Sequence, residues 1–176
     1  MMSDIFDEYK YDESFTTTSP ITASGALEFY NDIVNREGGK TQIKNVSVIN
    51  MDMIKDSLEI TPTPSSMDIA FIISKTAKYQ NNTKMAKMYI LVDFKFNVTA
   101  VDKVCANISD KSIKEKFTFS CNYIRSNDSN TCCANVAYFV FNNKNFEQIK
   151  NRWSQRHLRS PKNVAIKQSD FEKLFS

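Results

Sequence analysis

The sequence predicts a mainly β fold, an antiparallel β-sandwich or barrel, with α+β as the alternative class. Three observations support this prediction. Apolar segments of strand length recur between residues 41 and 142, and some of them alternate apolar with polar side chains. Clusters of Asn, Ser, Thr and Pro separate these segments, as turns separate strands. Such a series of strands typically forms a sandwich or a barrel.

Length and composition indicate a single globular domain. The chain has 176 residues and a hydrophobic content of 41%, which is enough to bury a core without disulfides or metals. Residues 1–20 are acidic and turn-prone, and we expect them to form a flexible N-terminal tail because they bury too little to offset their ordering entropy. Residues 21–176 are then one β-rich domain that ends in a basic helical segment.

The predicted strands differ in their patterns. They lie near residues 46–53, 67–73, 88–98, 116–123 and 134–141. In the third of them, Val92, Phe94, Phe96 and Val98 fall on one face, and Asp93, Lys95 and Asn97 fall on the other. The last is a mostly apolar run that suits a central strand.

Short helices are predicted to flank the strands. They lie near residues 26–36, 144–159 and 170–175. The first ends before Gly38 and Gly39, which are typical of helix C-termini. The second has Phe146, Ile149 and Trp153 at helical spacing. The third begins after Ser169, which has the spacing of a capping box with Glu172.

The chain is expected to be intracellular, either cytoplasmic or nuclear, and not secreted. No segment approaches the roughly 18 apolar residues of a membrane span, and the acidic N-terminus lacks the features of a signal peptide. In a reducing compartment the four cysteines, Cys105, Cys121, Cys132 and Cys133, are expected to be free thiols. In a secreted chain the same four would instead indicate two disulfides.

The sequence contains no recognisable catalytic or metal-binding motif, and we expect no cofactor. The only histidine, His157, lies in a basic stretch without a triad partner. A zinc site built from Cys105, Cys121, Cys132 and His157 is disfavoured because the cysteines show no two-residue knuckle. Gly38 and Gly39 precede a lysine, but the segment lacks the other glycine and the strand–loop–helix order of a phosphate-binding loop. Catalysis by carboxylates alone remains open, since the sequence cannot show which of them converge.

Charge is segregated along the chain. Residues 1–37 carry a net charge of −6, so the remainder must carry +9 to give the total of +3. In a helix, Arg152, Arg156 and Arg159 would form one continuous stripe. The candidate nucleic-acid-binding residues are Lys150, Arg152, Trp153, Arg156, Arg159 and Lys162, with the aromatic ring available to stack on a base. Two alternatives are a solvated surface helix and a stripe covered by the acidic tail.

The C-terminal segment offers a second candidate contact. Phe171, Leu174 and Phe175 have the i, i+3, i+4 spacing of a short helix that fills a partner's groove. The alternative, which we favour, is that this segment packs on its own domain.

Taken together, these features predict a non-enzymatic interaction or structural protein, of the kind found among viral accessory proteins. Its partner would be another protein or a second copy of the chain, with no role for a membrane. The alternative is a nucleic-acid-binding protein with a preference for single strands, using the basic and aromatic residues of the C-terminal helix. An enzyme is the least favoured class, and it would require a pocket with convergent carboxylates.

Overall fold

The protein is an α+β domain built on one mixed sheet. Its structure, a computed structural model, describes residues 8–79, 82–98, 108–142, 144, 146–156 and 163–176. The sheet has seven strands, contains parallel and antiparallel pairs, and does not close into a barrel. The prediction of a mainly β sandwich or barrel is therefore wrong.

The strands are ordered β2-β3-β4-β5-β6-β7 across the sheet, with β1 beside β4. Their bounds are β1 (Lys10–Tyr11), β2 (Leu27–Phe29), β3 (Ser47–Asn50), β4 (Ile69–Tyr79), β5 (Asn82–Lys95), β6 (Cys132–Phe141) and β7 (Asn163–Lys167). Strands β2 to β5 pair antiparallel, whereas β5, β6 and β7 are parallel to one another. Lys95 is in register with Phe141, and Phe141 with Lys167, so the carboxyl ends of the parallel strands form one edge.

Helices connect the parallel strands and cover both faces of the sheet. They are α1 (Glu13–Thr17), α2 (Tyr30–Arg36), α3 (Met51–Ser57), α4 (Asp110–Asn127), α5 (Phe146–Arg156) and α6 (Gln168–Phe171), with 3-10 turns at Pro20–Ser24 and Glu172–Phe175. The segment predicted as a helix over residues 26–36 divides into β2 and α2. In the described part of the chain, none of the helices has the length and apolar character needed to cross a membrane.

The largest error in the predicted elements concerns residues 116–123, which lie inside α4 and not in a strand. Their side chains alternate over eight positions, but the fully buried ones in this helix follow helical spacing at Ile113, Ser120, Cys121 and Ile124. Ser109 caps the helix by accepting a hydrogen bond from the backbone N–H of Ser112 at 3.1 Å. Because parallel strands need a long crossover connection, the β5–β6 pair also favours a helix here.

Apolar clusters fill both sides of the sheet. One lies under α4 and α5 and includes Leu91, Phe139 and Trp153, whereas the other lies under α2 and α6 and includes Ile90 and Val92. Adjacent residues of β5 thus face opposite cores. A polar side chain on the inner half of this strand is therefore buried whichever face it occupies.

The acidic N-terminal segment contributes to the sheet from residue 8 onwards. Lys10 and Tyr11 of β1 are in register with Ser74 and Ile73 of β4. The side chain of Asp12 caps α1 by accepting a hydrogen bond from the N–H of Phe15 at 3.0 Å. Residues 1–7 of the predicted tail lie outside the described residues.

Candidate functional site

Two carboxyl groups and two ammonium groups meet at the carboxyl edge of the parallel strands. We call Asp68, Asp93, Lys95 and Lys116 the carboxylate–lysine cluster. Asp68 immediately precedes β4, and the register between Ile69 and Val92 brings it beside Asp93 of β5. Asp93 and Lys95 point to the same face because they are two residues apart in a strand. The helix that covers this face, α4, contributes Lys116.

Asp93 is the centre of the cluster. Its side chain is 2% exposed, and Lys95 Nζ donates to its Oδ1 at 2.6 Å. Lys116 Nζ approaches both carboxylate oxygens, at 3.3 Å from Oδ1 and 3.2 Å from Oδ2. The two lysine side chains keep 18% and 24% of their surface exposed. The cluster is therefore deep in the protein but reaches solvent through its lysines.

Asp68 is held by backbone groups on both sides. The N–H of Phe94 donates to its Oδ2 at 2.5 Å. Its own N–H donates to the carbonyl of Val92 at 2.9 Å, and its carbonyl accepts from the N–H of Met51 at 3.1 Å. The first of these bonds holds the carboxyl group of Asp68 on the side of Asp93, and the other two hold its backbone in place.

Burial and mutual repulsion separate the pKa values of the two carboxyl groups. Burial, followed by the charge of Asp93, raises the pKa of Asp68 well above its usual range. Burial also opposes ionisation of Asp93, but the ammonium groups of Lys95 and Lys116 outweigh it and lower the pKa of Asp93. The interaction between the two carboxyl groups acts in these same directions, raising the pKa of Asp68 and lowering that of Asp93, so a proton on the pair is expected to reside on Asp68.

The charge of Lys116 is maintained in spite of its surroundings. Burial lowers the pKa of this lysine, but Asp93 and Asp68 raise it by a greater amount, so that its net change is upward. Asp52 at the start of α3 adds to this upward shift. Its Oδ1 also accepts a hydrogen bond from the hydroxyl of Ser66 at 2.6 Å. A third carboxylate thus lies close enough to act on the cluster.

The cluster offers two carboxyl groups to a cation and two ammonium groups to an anion. Mg²⁺ in proteins is often held by one or two carboxylates, with water and substrate phosphate completing its shell. Within the described ranges, no group of three or more His, Cys, Asp or Glu side chains is placed to hold a metal ion. A cation at Asp68 and Asp93 would therefore need further ligands from water and substrate, and the lysines would neutralise charge on that substrate.

A groove of about 640 Å³ runs along the other side of α4. It is lined by Pro62, Thr63, Pro64, Ser65, Lys111, Lys114, Glu115, Thr118, Phe119 and Asn122. The hydroxyl of Ser120 accepts a hydrogen bond from the N–H of Met67 at 3.0 Å, which ties the segment before Asp68 to α4. The groove and the cluster are therefore built from the same two elements, the helix and the segment that precedes β4, but none of the four cluster residues lines the groove.

The predicted nucleic-acid-binding residues are only partly described. Lys150 and Arg152 are exposed on α5, Arg156 is its last residue, and Arg159, Lys162 and His157 lie outside the described residues. Trp153 is 2% exposed and packs on Phe139 with ring centroids 4.8 Å apart. In this position its ring belongs to the core and offers no face to a nucleic-acid base.

The predicted partner-binding residues pack against the chain's own sheet. Phe171 is fully buried, Leu174 is buried, and Phe175 is half-buried. The ring of Phe171 lies 6.0 Å from that of Phe71 and 6.2 Å from that of Tyr30. The C-terminal segment therefore completes the second core.

Two of the cysteines lie close together near the other end of α4. The Sγ atoms of Cys121 and Cys133 are 2.9 Å apart, and Cys132 is exposed. Cys105 and His157, which would complete the disfavoured zinc site, lie outside the described residues.

The sequence pattern does not reveal the carboxylate–lysine cluster. Asp93 and Lys95 fall on the polar face of an alternating strand, which implies solvent exposure. The usable signal was the apolar run 88–92 before them, because a strand that is apolar on both faces is buried on both faces. Comparisons with protein families, with curated proteins and with solved structures give no match, so the function must be argued from the cluster itself.

Proposed function

We propose that this chain is a divalent-cation-dependent phosphodiesterase acting on nucleic acid, with the carboxylate–lysine cluster as its active site. The observation that carries the proposal is the position of Asp68 beside the buried carboxylate of Asp93, which contacts Lys95 and Lys116, at the carboxyl edge of the parallel strands. Ligands of open α/β sheets bind at this edge. Strongly shifted pKa values with specific charged partners are typical of functional sites.

The cation would replace the shared proton. Asp68 and Asp93 together present four carboxylate oxygens, and a divalent cation stabilises both groups in their ionised form. Phosphate oxygens of the substrate and water would fill the remaining positions. Lys95 and Lys116 are already within hydrogen-bond reach of Asp93, so they are placed to contact a phosphate bound beside it.

The proposed reaction is hydrolysis of a phosphodiester. The oxygen of a water molecule forms a bond to phosphorus while the bond from phosphorus to the leaving ester oxygen breaks. The water proton passes to solvent, and a second proton reaches the leaving oxygen. A divalent cation held by Asp68 and Asp93 would increase the acidity of the attacking water, and the ammonium groups of Lys95 and Lys116 would stabilise the negative charge on the transferring phosphate.

Nucleic acid is the phosphodiester best matched to the charge of the chain. The acidic residues are concentrated in residues 1–37, and the remaining 139 residues carry a net charge of +9. Basic surfaces of this kind bind polyanions by releasing counterions from the phosphates. The groove on the other side of α4 adds Lys111, Lys114 and the ring of Phe119, which could contact the same polyanion.

A purely structural role for the cluster makes a different prediction about the replacement of Asp68. Burying ion pairs costs desolvation energy, so such pairs are weak contributors to stability, and apolar replacements are frequently as stable. A phosphodiesterase needs Asp68 as an ionised ligand, whereas a structural cluster needs only a neutral hydrogen-bonding group there. Replacement of Asp68 by asparagine therefore separates the two roles.

The test is cleavage of fluorescently labelled single-stranded DNA, duplex DNA and RNA by the full chain in Mg²⁺ or Mn²⁺, with EDTA as the blank. We expect cation-dependent cleavage that falls at least 100-fold in both Asp68→Asn and Asp93→Asn. Asp170→Asn, an exposed carboxylate paired with Lys173, is the matched control and should keep full activity. Absence of cleavage on every substrate, or full activity in Asp68→Asn, would refute the proposal.

The second candidate function is the non-enzymatic interaction protein that the sequence analysis favoured. Its support is β2, a strand at the edge of the sheet that exposes Leu27 and Phe29, the latter by 48%. Edge strands of this type bind extended segments of partner proteins by strand addition. Phe29→Lys should abolish self-association in sedimentation experiments if the partner is a second copy of the chain, and it should leave nucleic-acid cleavage unchanged.

A further inference from the structure

The outer halves of β4 and β5 project as a two-stranded ribbon. The two strands pair continuously from Ile69–Val92 to Tyr79–Asn82. β1 reaches only as far as Ser74, and β6 begins opposite Met88. Within the described ranges, therefore, the segments 75–79 and 82–86 pair only with each other. At about 3.3 Å per residue this ribbon is roughly 16 Å long.

The ribbon is strongly basic. Residues 69–92 contain Lys75, Lys78, Lys84 and Lys87 and no acidic residue. Their charge of +4 exceeds the +3 of the whole chain, so all other residues together carry −1. No other part of the described sheet concentrates charge in this way. The ribbon is also weakly packed, because Thr76, Thr83 and Lys84 are exposed and Met85 is 56% exposed.

The contacts that the ribbon lysines make are weak. Lys75 pairs with Glu8 of the N-terminal segment, and the two side chains are 28% and 61% exposed. Surface pairs of this kind contribute little and are readily replaced by another anion. Lys87 lies 4.6 Å above the ring of Phe15. These contacts hold the ammonium groups at the base of the ribbon but leave them accessible to a ligand.

We propose that this ribbon binds duplex DNA by entering the major groove, with its lysines contacting phosphates along both walls. A major groove about 12 Å wide admits a two-stranded ribbon, whose strands are about 4.8 Å apart. The deep, narrow major groove of A-form RNA does not admit such a ribbon. The lysines occupy both sides of the ribbon, since Lys75 and Lys84 share one face and Lys87 lies on the other.

The ribbon lies at the opposite end of β5 from Asp93, with its base at residue 86 seven residues or roughly 23 Å along the strand and its tip at residue 82 eleven residues or roughly 36 Å along it. The whole ribbon is therefore within about one turn of B-form DNA from Asp93. A duplex held by the ribbon could therefore extend towards the proposed active site. The inference rests on the proposed function only in choosing nucleic acid from among the possible polyanionic ligands. DNA binding measured in EDTA does not require cleavage, so it tests the ribbon separately.

Lysines on exposed strands also have a different role, which is to prevent edge-to-edge aggregation. In that case their charge matters for solubility but not for binding. Binding measurements separate the two explanations, because a variant that loses only edge protection keeps whatever affinity the protein has for DNA.

The experiment is fluorescence anisotropy of the full chain with a 24-base-pair DNA duplex in EDTA over a series of salt concentrations. Each phosphate contact contributes about −0.9 to the slope of log K against log salt, so Lys75→Gln/Lys84→Gln should reduce the steepness of the slope by about 1.8. The affinity of this variant for the DNA duplex at low salt should fall about tenfold. Lys44→Gln/Lys173→Gln removes the same charge from other elements and should change affinity less than twofold.

Three further ligands test whether binding is specific for duplex DNA. An RNA duplex and a single strand of the same length should bind at least tenfold more weakly than duplex DNA, and equal affinities would overturn the proposed groove contact. Vesicles containing phosphatidylserine serve as a further probe. Binding to vesicles without binding to DNA, or unchanged DNA affinity in the ribbon variant, would also overturn the inference. Loss of DNA binding in the ribbon variant with cleavage of short single strands intact would support the ribbon independently of the active site.

Discussion

Asp68 and Asp93 lie beside each other across the pairing of β4 and β5, and the pKa values of their carboxyl groups move in opposite directions. Two neighbouring lysines favour ionisation of Asp93, and the resulting negative charge disfavours ionisation of Asp68. The pair therefore holds one exchangeable proton in a buried position. That proton links acidity, cation binding and stability, and the first two predictions depend on it.

Asparagine at the two positions should affect stability in opposite ways. Asp68→Asn replaces a group whose raised pKa favours its neutral form, so we expect the free energy of unfolding at neutral pH to stay the same or rise slightly. Asp93→Asn removes the carboxylate that both Lys95 and Lys116 contact directly and should cost about 2–3 kcal/mol, somewhat less than a fully buried pair because the lysines touch solvent. Urea unfolding at pH 7 measures both. Equal destabilisation by the two variants would contradict the assignment of the proton to Asp68.

Cation affinity should rise with pH. A divalent cation must displace the proton of Asp68, whose pKa is raised, so below that pKa the affinity should increase about tenfold per pH unit and then level off. Calorimetric titration with Mn²⁺ between pH 5.5 and 8.5 measures this dependence. Asp68→Asn has no such proton and should show weak binding that changes little with pH. A wild-type affinity that is constant over the range would count against the shared proton.

The same raised pKa makes a prediction for the cation-free protein. The folded state holds the proton of Asp68 more tightly than the unfolded state does, so this group stabilises the fold below its unfolded pKa. The stabilisation should be lost as the pH rises through the folded pKa. Thermal unfolding in EDTA should show a falling Tm over that interval, and Asp68→Asn should remove the decline. A Tm that rises instead would contradict the direction of the shift.

Trp153 should contribute to stability and not to nucleic-acid binding. It packs on Phe139 and Phe141 in the core, so Trp153→Ala should cost about 3–5 kcal/mol and Trp153→Phe about 1–2 kcal/mol. As it is the only tryptophan, its emission should be blue-shifted and poorly quenched by acrylamide. DNA affinity of Trp153→Phe should equal that of the wild type. Strong quenching by added DNA would instead place the ring at the interface.

Phe171 should be required for folding. It is fully buried between Tyr30 and Phe71, so Phe171→Ala should lower the free energy of unfolding by about 3–5 kcal/mol. The exposed neighbour Lys173 provides the control, since Lys173→Ala should change stability by less than about 0.5 kcal/mol. Urea unfolding gives both values. Wild-type stability in Phe171→Ala would indicate that the C-terminal segment docks elsewhere.

The spacing of apolar residues predicted the correct element in the segments where the fold buries those same residues. The apolar run at residues 134–141 lies within β6, and its residues from Ala137 to Phe141 are buried. Residues 146–156 form a helix with Phe146, Ile149 and Trp153 facing the core. In both segments the side chains that sequence spacing places on one face are the ones that the fold buries.

The sequence alone thus determined the most apolar strands and the amphipathic helix near the C-terminus, because hydrophobic periodicity is a local property. Only the tertiary structure decided that residues 110–127 form a helix. The alternation of Phe117, Phe119 and Cys121 fits a strand over a short window. The helix is instead fixed by its N-terminal cap and by its position between two parallel strands. The cluster likewise depends on the tertiary structure. Asp68 and Asp93 are 25 positions apart in the sequence, and they meet only because β4 and β5 pair in one register and α4 covers that end of the sheet with Lys116.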